Sequence, residues 1–460
     1  MKILVLNLPY RRQIVRKYAC SYHANGFLYP PLELIRVCTI INEKAVKKHT
    51  IIFLDAIAEH LSYSSCRKTI HRLSPDVLIT LFSVDFINEE YEFLISLKND
   101  NPLKTVVIGY LPALYRDKYS EADAVLGNNF EAVIGKACAS YECNSPSGLI
   151  SGINRFKTEN LPFDPDIIMK TDFSFYRENA YSELFAAGKT AFTYFSFGCP
   201  FKCTFCIKTY NFSQVYFRST ENILSELEFY WKAGIKNIRI LDDNCTLNKE
   251  LLLEILDFQK RKNIRFNYYG LTRIDLLDEE RIELLKKLGF KNILIGIETI
   301  NKETQNAYHK VLDIDPEKAM QKFRLLKNAK VEAGIFILFN PITETRNDIH
   351  KTLKFLKKLP VHFASISYIT PYPGTEYFTG NSDRIEFSEP PEYFSRLKPH
   401  FNDHIRQNEL LFMFSFYFLK PQNLIYLISR FIRFPRQSAI ILFNSVKFLF
   451  MNDSGRHDYY

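Results

Sequence analysis

Ser196-Phe197-Gly198-Cys199-Pro200-Phe201-Lys202-Cys203-Thr204-Phe205-Cys206 sets three cysteines at C-x3-C-x2-C spacing, directly after an apolar strand. Thiolates are the usual ligands of iron–sulfur clusters. Three of them on one loop can hold three irons of a four-iron cluster, so Cys199, Cys203 and Cys206 are the candidate metal ligands. The fourth iron then stays free for a substrate. Gly198 permits a tight bend as the chain leaves the strand. The competing reading is zinc or unrelated buried thiols. A structural zinc site wants four ligands, and the nearest further candidates are Cys245 and His309.

Downstream of this loop the pattern repeats as strand and helix. Strands are predicted at 192–197, 237–241, 265–269, 292–297, 334–339 and 364–369, with helices between them, for example 221–233 and 279–288. Six such units predict an open, partial (β/α)6 version of the TIM barrel over 186–385. Upstream, short apolar runs at 2–8, 50–54, 77–82, 104–108 and 123–126 alternate with helical patterns. That alternation predicts a Rossmann-like parallel α/β domain over 1–145. Ligands of such sheets sit beyond the carboxyl ends of the strands. Asn, Ser, Pro and Gly crowd 146–185, which reads as a connector, and 386–460 reads as a helical, aromatic region.

Composition narrows the class. The chain of 460 residues is 47% hydrophobic and 24% charged, an ordinary globular balance with material for more than one core. A net charge of +9 could draw nucleic acid or anionic lipid, but scattered surface lysine accounts for it and no RNA-binding module is found. The first residues lack the form of a signal peptide, and no run of 18 apolar residues occurs. A cytoplasmic protein with reduced thiols is expected, and with it a metal site rather than a disulfide framework.

The cysteine loop resembles the radical S-adenosylmethionine (SAM) superfamily, in which an aromatic residue, here Phe205, precedes the last cysteine, and the resemblance implies that Phe205 contacts SAM. The resemblance implies a [4Fe-4S] cluster whose open iron chelates SAM. An external donor such as flavodoxin or ferredoxin supplies the electron that breaks a carbon–sulfur bond, and the resulting radical abstracts hydrogen from a substrate. Five later stretches are similar to family segments. Leu241-Asp242-Asp243-Asn244 stands where Gly-Gly-Glu is common, so Asp242 and Asp243 either bind the methionine amine or cap a helix. Thr272-Arg273-Ile274-Asp275 makes Arg273 a cofactor contact or a strand-end ion pair, and Gly296-Ile297-Glu298-Thr299 puts Glu298 beside the ribose or the amine. Asn340-Pro341-Ile342-Thr343-Glu344 and Thr370-Pro371-Tyr372-Pro373-Gly374 complete the set.

The domain order resembles the cobalamin-binding branch of the superfamily. Leu8-Pro9, Pro30-Pro31-Leu32-Glu33-Leu34, Asp55-Ala56-Ile57-Ala58-Glu59, Pro75-Asp76-Val77 and Val106-Val107-Ile108-Gly109 carry this match. It implies cobalamin contacts at Pro31, Asp55 and Gly109. No Asp-x-His-x-x-Gly is present, and Tyr110 follows Gly109 where the branch has a second glycine. The rival is a cofactor-free sheet domain that covers the barrel or binds substrate.

Methyl transfer to an unactivated carbon of a small-molecule or lipid-like substrate is the expected reaction. Alternatives are cyclisation or rearrangement without methylation, RNA methylthiolation, and a non-catalytic electron-transfer or scaffold protein. In the tail, 410–452 carries Lys420, Arg430, Arg433, Arg436 and Lys447 and no acidic residue. Such a stretch can lie in a membrane interface, or pack on the barrel with basic stems covering apolar surface. Its apolar runs are too short to span, and packing is the expectation.

Overall fold

The computed structural model describes residues 1–385 and 421–449, apart from 11–12, 19–20, 24–25, 85–86, 101, 157–160, 169–174, 176–179, 209–213, 311–315 and 362. The Phe416–Lys420 run and the rest of 386–420 and 450–460 lie outside the described residues. Two compact units divide the chain: Met1–Ser182 forms the first, and Glu183 opens the second.

The first unit begins with β1 (Lys2–Asn7) and a small antiparallel hairpin, β2 (Ile14–Arg16) with β3 (Ser21–His23). Then β4 (Thr50–Asp55), β5 (Val77–Leu81), β6 (Lys104–Ile108) and β7 (Ala124–Leu126) alternate with helices. The sheet order is β4-β1-β5-β6-β7, all parallel. Ile3–Leu6 and most of β5 and β6 have no exposure, the burial expected of strands covered on both faces. The order reverses between β1 and β5, the switch point at which ligands of this fold sit.

Residues 146–155 are not a connector. Pro146–Arg155 is a helix whose Leu149, Ile150 and Ile153 enter the first unit's core. The signals were local: Ser145 accepts the Gly148 N–H as N-cap, and Pro146 stands in the first helical turn. Gly152 permits close packing, since a Cβ there would sit 3.2 Å from that of Ala137.

In the second unit β8 (Thr190–Thr193) precedes a short antiparallel pair, β9 (Ser196–Phe197) with β10 (Tyr216–Phe217). The expected strand at 192–197 is thus broken in two. β11 (Asn237–Ile240), β12 (Asn267–Arg273), β13 (Phe290–Glu298), β14 (Glu332–Phe339) and β15 (Phe363–Tyr368) follow. With β8 they form one six-stranded parallel sheet in chain order, the partial barrel expected. Capping side chains start the intervening helices: Ser219 before Thr220–Lys232, Asn248 before Lys249–Lys262, Asp278 before Glu279–Leu288 and Thr345 before Arg346–Lys358. β12 runs four residues beyond its expected end, so Thr272 and Arg273 are strand residues. Ile293, Ile295, Ile335 and Ile337 have no exposure, on the sheet face opposite Gly296 and Leu338.

Candidate active site

The carboxyl ends of the barrel strands carry nearly every barrel residue singled out above. Gly198 has φ +90°, a left-handed turn that starts the cysteine loop without strain. Thr204 then pins the loop in three directions. Its N–H donates to Tyr308 O (3.1 Å), its hydroxyl to Ala307 O (2.8 Å), and its carbonyl accepts from Tyr377 N–H (2.9 Å). Phe205 meets the Tyr308 ring edge-on at 4.8 Å, within an apolar cluster that includes Ile369 and Tyr377. The structure therefore gives Phe205 an anchoring contact. Loops after β13 and β15 fix the position of the loop after β9.

Asn244 and Arg273 donate hydrogen bonds to the thiols. Asn244 Nδ2 lies 3.2 Å from Cys199 Sγ, and Arg273 Nη1 lies 3.5 Å from Cys203 Sγ. Arg273 is itself held by a double bond to Asp275 (2.9 and 2.8 Å) and lies over the Phe201 ring at 3.8 Å. Burial pushes the Cys206 thiol up to about 11, with the nearby Lys208 opposing the rise. Burial likewise raises Cys203, against Lys310 and Arg273. At Cys203 and Cys206 these cations oppose burial and work toward the thiolate, the form that binds metal. The three thiols are electrostatic neighbours of one another. Among the described residues no three His, Cys, Asp or Glu side chains converge on a single ion. A cluster of four irons asks each thiol for a different iron, so convergence is not required of its ligands.

The two aspartates differ. Asp242 accepts from Phe195 N–H (2.7 Å) and the Ser196 hydroxyl (2.6 Å), closing the turn that leads into the cysteine loop. It clamps a strand rather than capping a helix, and burial pushes it up to about 6. Asp243 pairs with Lys208.

Glu298 has φ +65° at a bulge that ends β13. A non-glycine residue held there stores about 1–3 kcal/mol of strain, a cost that concentrates at functional sites. Lys310 Nζ donates to Glu298 Oε1 at 2.7 Å, and both side chains are largely buried. Gly296 makes the room: a Cβ there would stand 2.6 Å from Glu298 Oε1 and 2.9 Å from Lys310 Nζ. Next to it, Glu344 accepts from the Thr299 hydroxyl (2.6 Å) and Asn340 N–H (2.7 Å), while Tyr377 donates to Asn340 Oδ1 (2.7 Å). Burial pushes Glu344 up to about 7.

Sequence reasoning did not single out Asn244, Lys208, Lys310 or Tyr377. Asn244 was legible as the residue directly after the aspartate pair. Lys310 lies in a loop and Tyr377 in the short helix Glu376–Gly380, and only the fold supplies their approach.

Residues 193–356 match the family profile described as the Radical SAM superfamily. The chain carries a radical SAM domain, and the protein is an enzyme. An uncharacterized methyltransferase of Pyrococcus horikoshii is 27% identical over 83% of this chain and 84% of its own length. An anaerobic magnesium-protoporphyrin IX monomethyl ester cyclase of Rubrivivax gelatinosus is 22% identical over 81% of this chain and 71% of its own. Among solved structures, the cobalamin-dependent SAM radical enzyme OxsB, with aqua-cobalamin and SAM bound, aligns with TM-score 0.63 at 12% identity, covering 100% of this chain and 82% of that one. That likeness concerns the fold. The radical SAM domain implies a [4Fe-4S] cluster and SAM. A partly buried, cation-lined trio of thiols fits the cluster.

The first unit answers its three expected residues separately. Pro31 is the N-cap of Leu32–Lys44 and is buried. Asp55 accepts from Asn7 Nδ2 (2.8 Å), the Tyr181 hydroxyl (2.7 Å) and the N–H groups of Ile57 and Ala58 (3.1 and 3.0 Å). Burial raises its pKa. Gly109 has extended backbone, and a Cβ there would press on the Pro112 ring at 2.9 Å, so packing explains the glycine. Arg16, from β2, fills the switch point. It is 1% exposed and donates to Glu90 Oε1 (2.6 Å), Leu8 O (3.0 Å) and Asn7 Oδ1. A bound group at this edge must therefore lie over the strand ends rather than enter between β1 and β5.

The thiol donors give a measurable expectation. Hydrogen bonds to cluster sulfurs set reduction potential, and one such bond is worth about 1 kcal/mol. Asn244→Ala should therefore lower the cluster's midpoint potential by roughly 40 mV, as for a one-electron couple. Redox titration followed by electron paramagnetic resonance reads this directly.

Proposed function

We propose that this radical SAM enzyme transfers a methyl group to an unactivated carbon of a small-molecule or lipid-like substrate. The observation that carries the reading is the cysteine loop. It sits at the carboxyl ends of the barrel strands, fastened to the loops after β13 and β15 and faced by Arg273, Lys208 and Lys310. In this reading Cys199, Cys203 and Cys206 hold the cluster. Asn244 and Arg273 steady its sulfurs, Asp242 fixes the turn that delivers the loop, and the strained Glu298, paired to Lys310, contacts SAM. Asp243 contacts SAM from the end of β11. When bound, the cluster supplies the electron that breaks a carbon–sulfur bond of SAM, and cobalamin on the first unit supplies the methyl carrier.

Pro31, Asp55 and Gly109 mark the edge where cobalamin would rest, and the likeness in fold to OxsB, which holds aqua-cobalamin, supports that reading. The Rubrivivax cyclase favours a second reading, cyclisation without net methylation. The deciding experiment is anaerobic reconstitution with iron and sulfide, with and without cobalamin. Methyl transfer predicts cobalamin bound by absorbance, with both 5′-deoxyadenosine and S-adenosylhomocysteine formed. 5′-Deoxyadenosine without S-adenosylhomocysteine would move the assignment to cyclisation or rearrangement.

A further inference from the structure

Helices Pro421–Arg433 and Pro435–Leu449 turn polar groups inward and large apolar ones outward. On the inner side Asn423 is buried, the Tyr426 hydroxyl donates to Glu332 Oε2 (3.2 Å), and Arg430 pairs with the same carboxylate. Gln437 Oε1 accepts the Phe185 N–H at 3.0 Å. On the outer side Leu424, Ile425, Ile428 and Ile432 share one helix face, and Leu442 and Phe443 extend it from the second helix. Ile425 is 68% exposed and Ile432 78%. A helix in a folded protein normally turns such a stripe toward the core, and an exposed run of this kind marks an interaction surface.

The charges say what covers it. Residues 421–449 hold Arg430, Arg433, Arg436 and Lys447 and no acidic residue. Arg430 is committed to Glu332, while Arg433 and Arg436 are exposed. A second copy of the chain, docking the same patch on itself, would set like charges face to face. An anionic bilayer surface complements both features at once. Pro435 divides the segment into helices of 13 and 15 residues, and no helix among the described residues is long and apolar enough to cross a membrane. Short, cationic, amphipathic helices of this kind lie in the interface plane.

We propose that this outer face binds an anionic lipid surface. Glu332 is the first residue of β14, so the helices dock at the amino ends of the barrel strands. The cysteine loop lies at the carboxyl ends. Lipid contact there anchors the enzyme and leaves the radical site's end of the barrel uncovered.

The test is cosedimentation of the full chain with phosphatidylcholine vesicles, with and without phosphatidylglycerol. Binding should be at least about tenfold tighter to the anionic vesicles, from the two exposed arginines, and should weaken with added salt. The exposed-face variant Ile425→Ser/Ile428→Ser/Ile432→Ser should lose this binding while keeping its circular dichroism and iron content. Equal binding by the variant, or no binding by the natural sequence, overturns the proposal. So does a dimer in sedimentation analysis that the variant breaks without any vesicle binding, since the face would then be an interface between copies.

Discussion

Cys203→Ala is expected to leave the anaerobically reconstituted enzyme without four-iron absorbance and without 5′-deoxyadenosine formation. Cys203 is the most enclosed of the three thiols and the one that Arg273 faces. On the proposed assignment, removing it strips one iron of its protein ligand and leaves the guanidinium beside an empty position. The loss should reach the background rate, at least about a thousandfold, or roughly 4 kcal/mol of barrier. Cys245→Ala is the matched control. Cys245 is buried against the backbone of Gly270, where a Cβ would come within 2.5 Å of its sulfur. Burial pushes its thiol up to about 12. A fourth ligand of a zinc site would be needed for metal content; a packing thiol would not. Iron and sulfide should therefore stay at full level in Cys245→Ala and fall in Cys203→Ala. Unchanged iron in the latter would sink the assignment of the loop.

The barrel was legible because each strand is a short apolar run followed by a capped helix, and these signals are local. The cysteine loop was legible because its three thiols come from one segment of eight residues. What escaped was whatever depends on two distant segments meeting. The aspartate pair could be read as a cofactor contact or a cap, and only the turn before the cysteine loop shows that Asp242 is a clamp. Lys310 follows Glu298 by twelve residues, and nothing in the spacing says that its ammonium folds back onto that carboxylate. The extent of β12 was misjudged because Gly270 and Thr272 weaken its apolar signal, although both lie in strand pairing with β13. The helix at 146–155 was missed because Ser, Pro and Gly were counted as loop composition when Ser145 and Pro146 are a start signal and Gly152 a packing one.

Arg16→Met should destabilise the protein by about 3–5 kcal/mol at neutral pH, the usual cost of removing one member of a buried ion pair. Arg16 and Glu90 have no side-chain exposure, and the second oxygen of Glu90 accepts the Ser83 N–H at 2.6 Å. Without the guanidinium, the glutamate keeps its burial and loses the charge that offsets it. Its pKa, already raised by burial in the natural protein, must then climb further. For a carboxyl with a raised folded-state pKa, stability is greatest below the unfolded value and is lost as pH rises through the folded value. The deficit of Arg16→Met should accordingly shrink as pH falls toward 4.5, the ordinary value for glutamate. Adding Glu90→Gln should recover much of it at neutral pH, because the uncompensated charge is gone and an acceptor for Ser83 remains. Chemical denaturation of the full chain at two pH values, for both variants, measures this. A loss under about 1 kcal/mol at neutral pH would mean that water reaches the pair. In that case the crevice between β1 and β5 could admit a ligand.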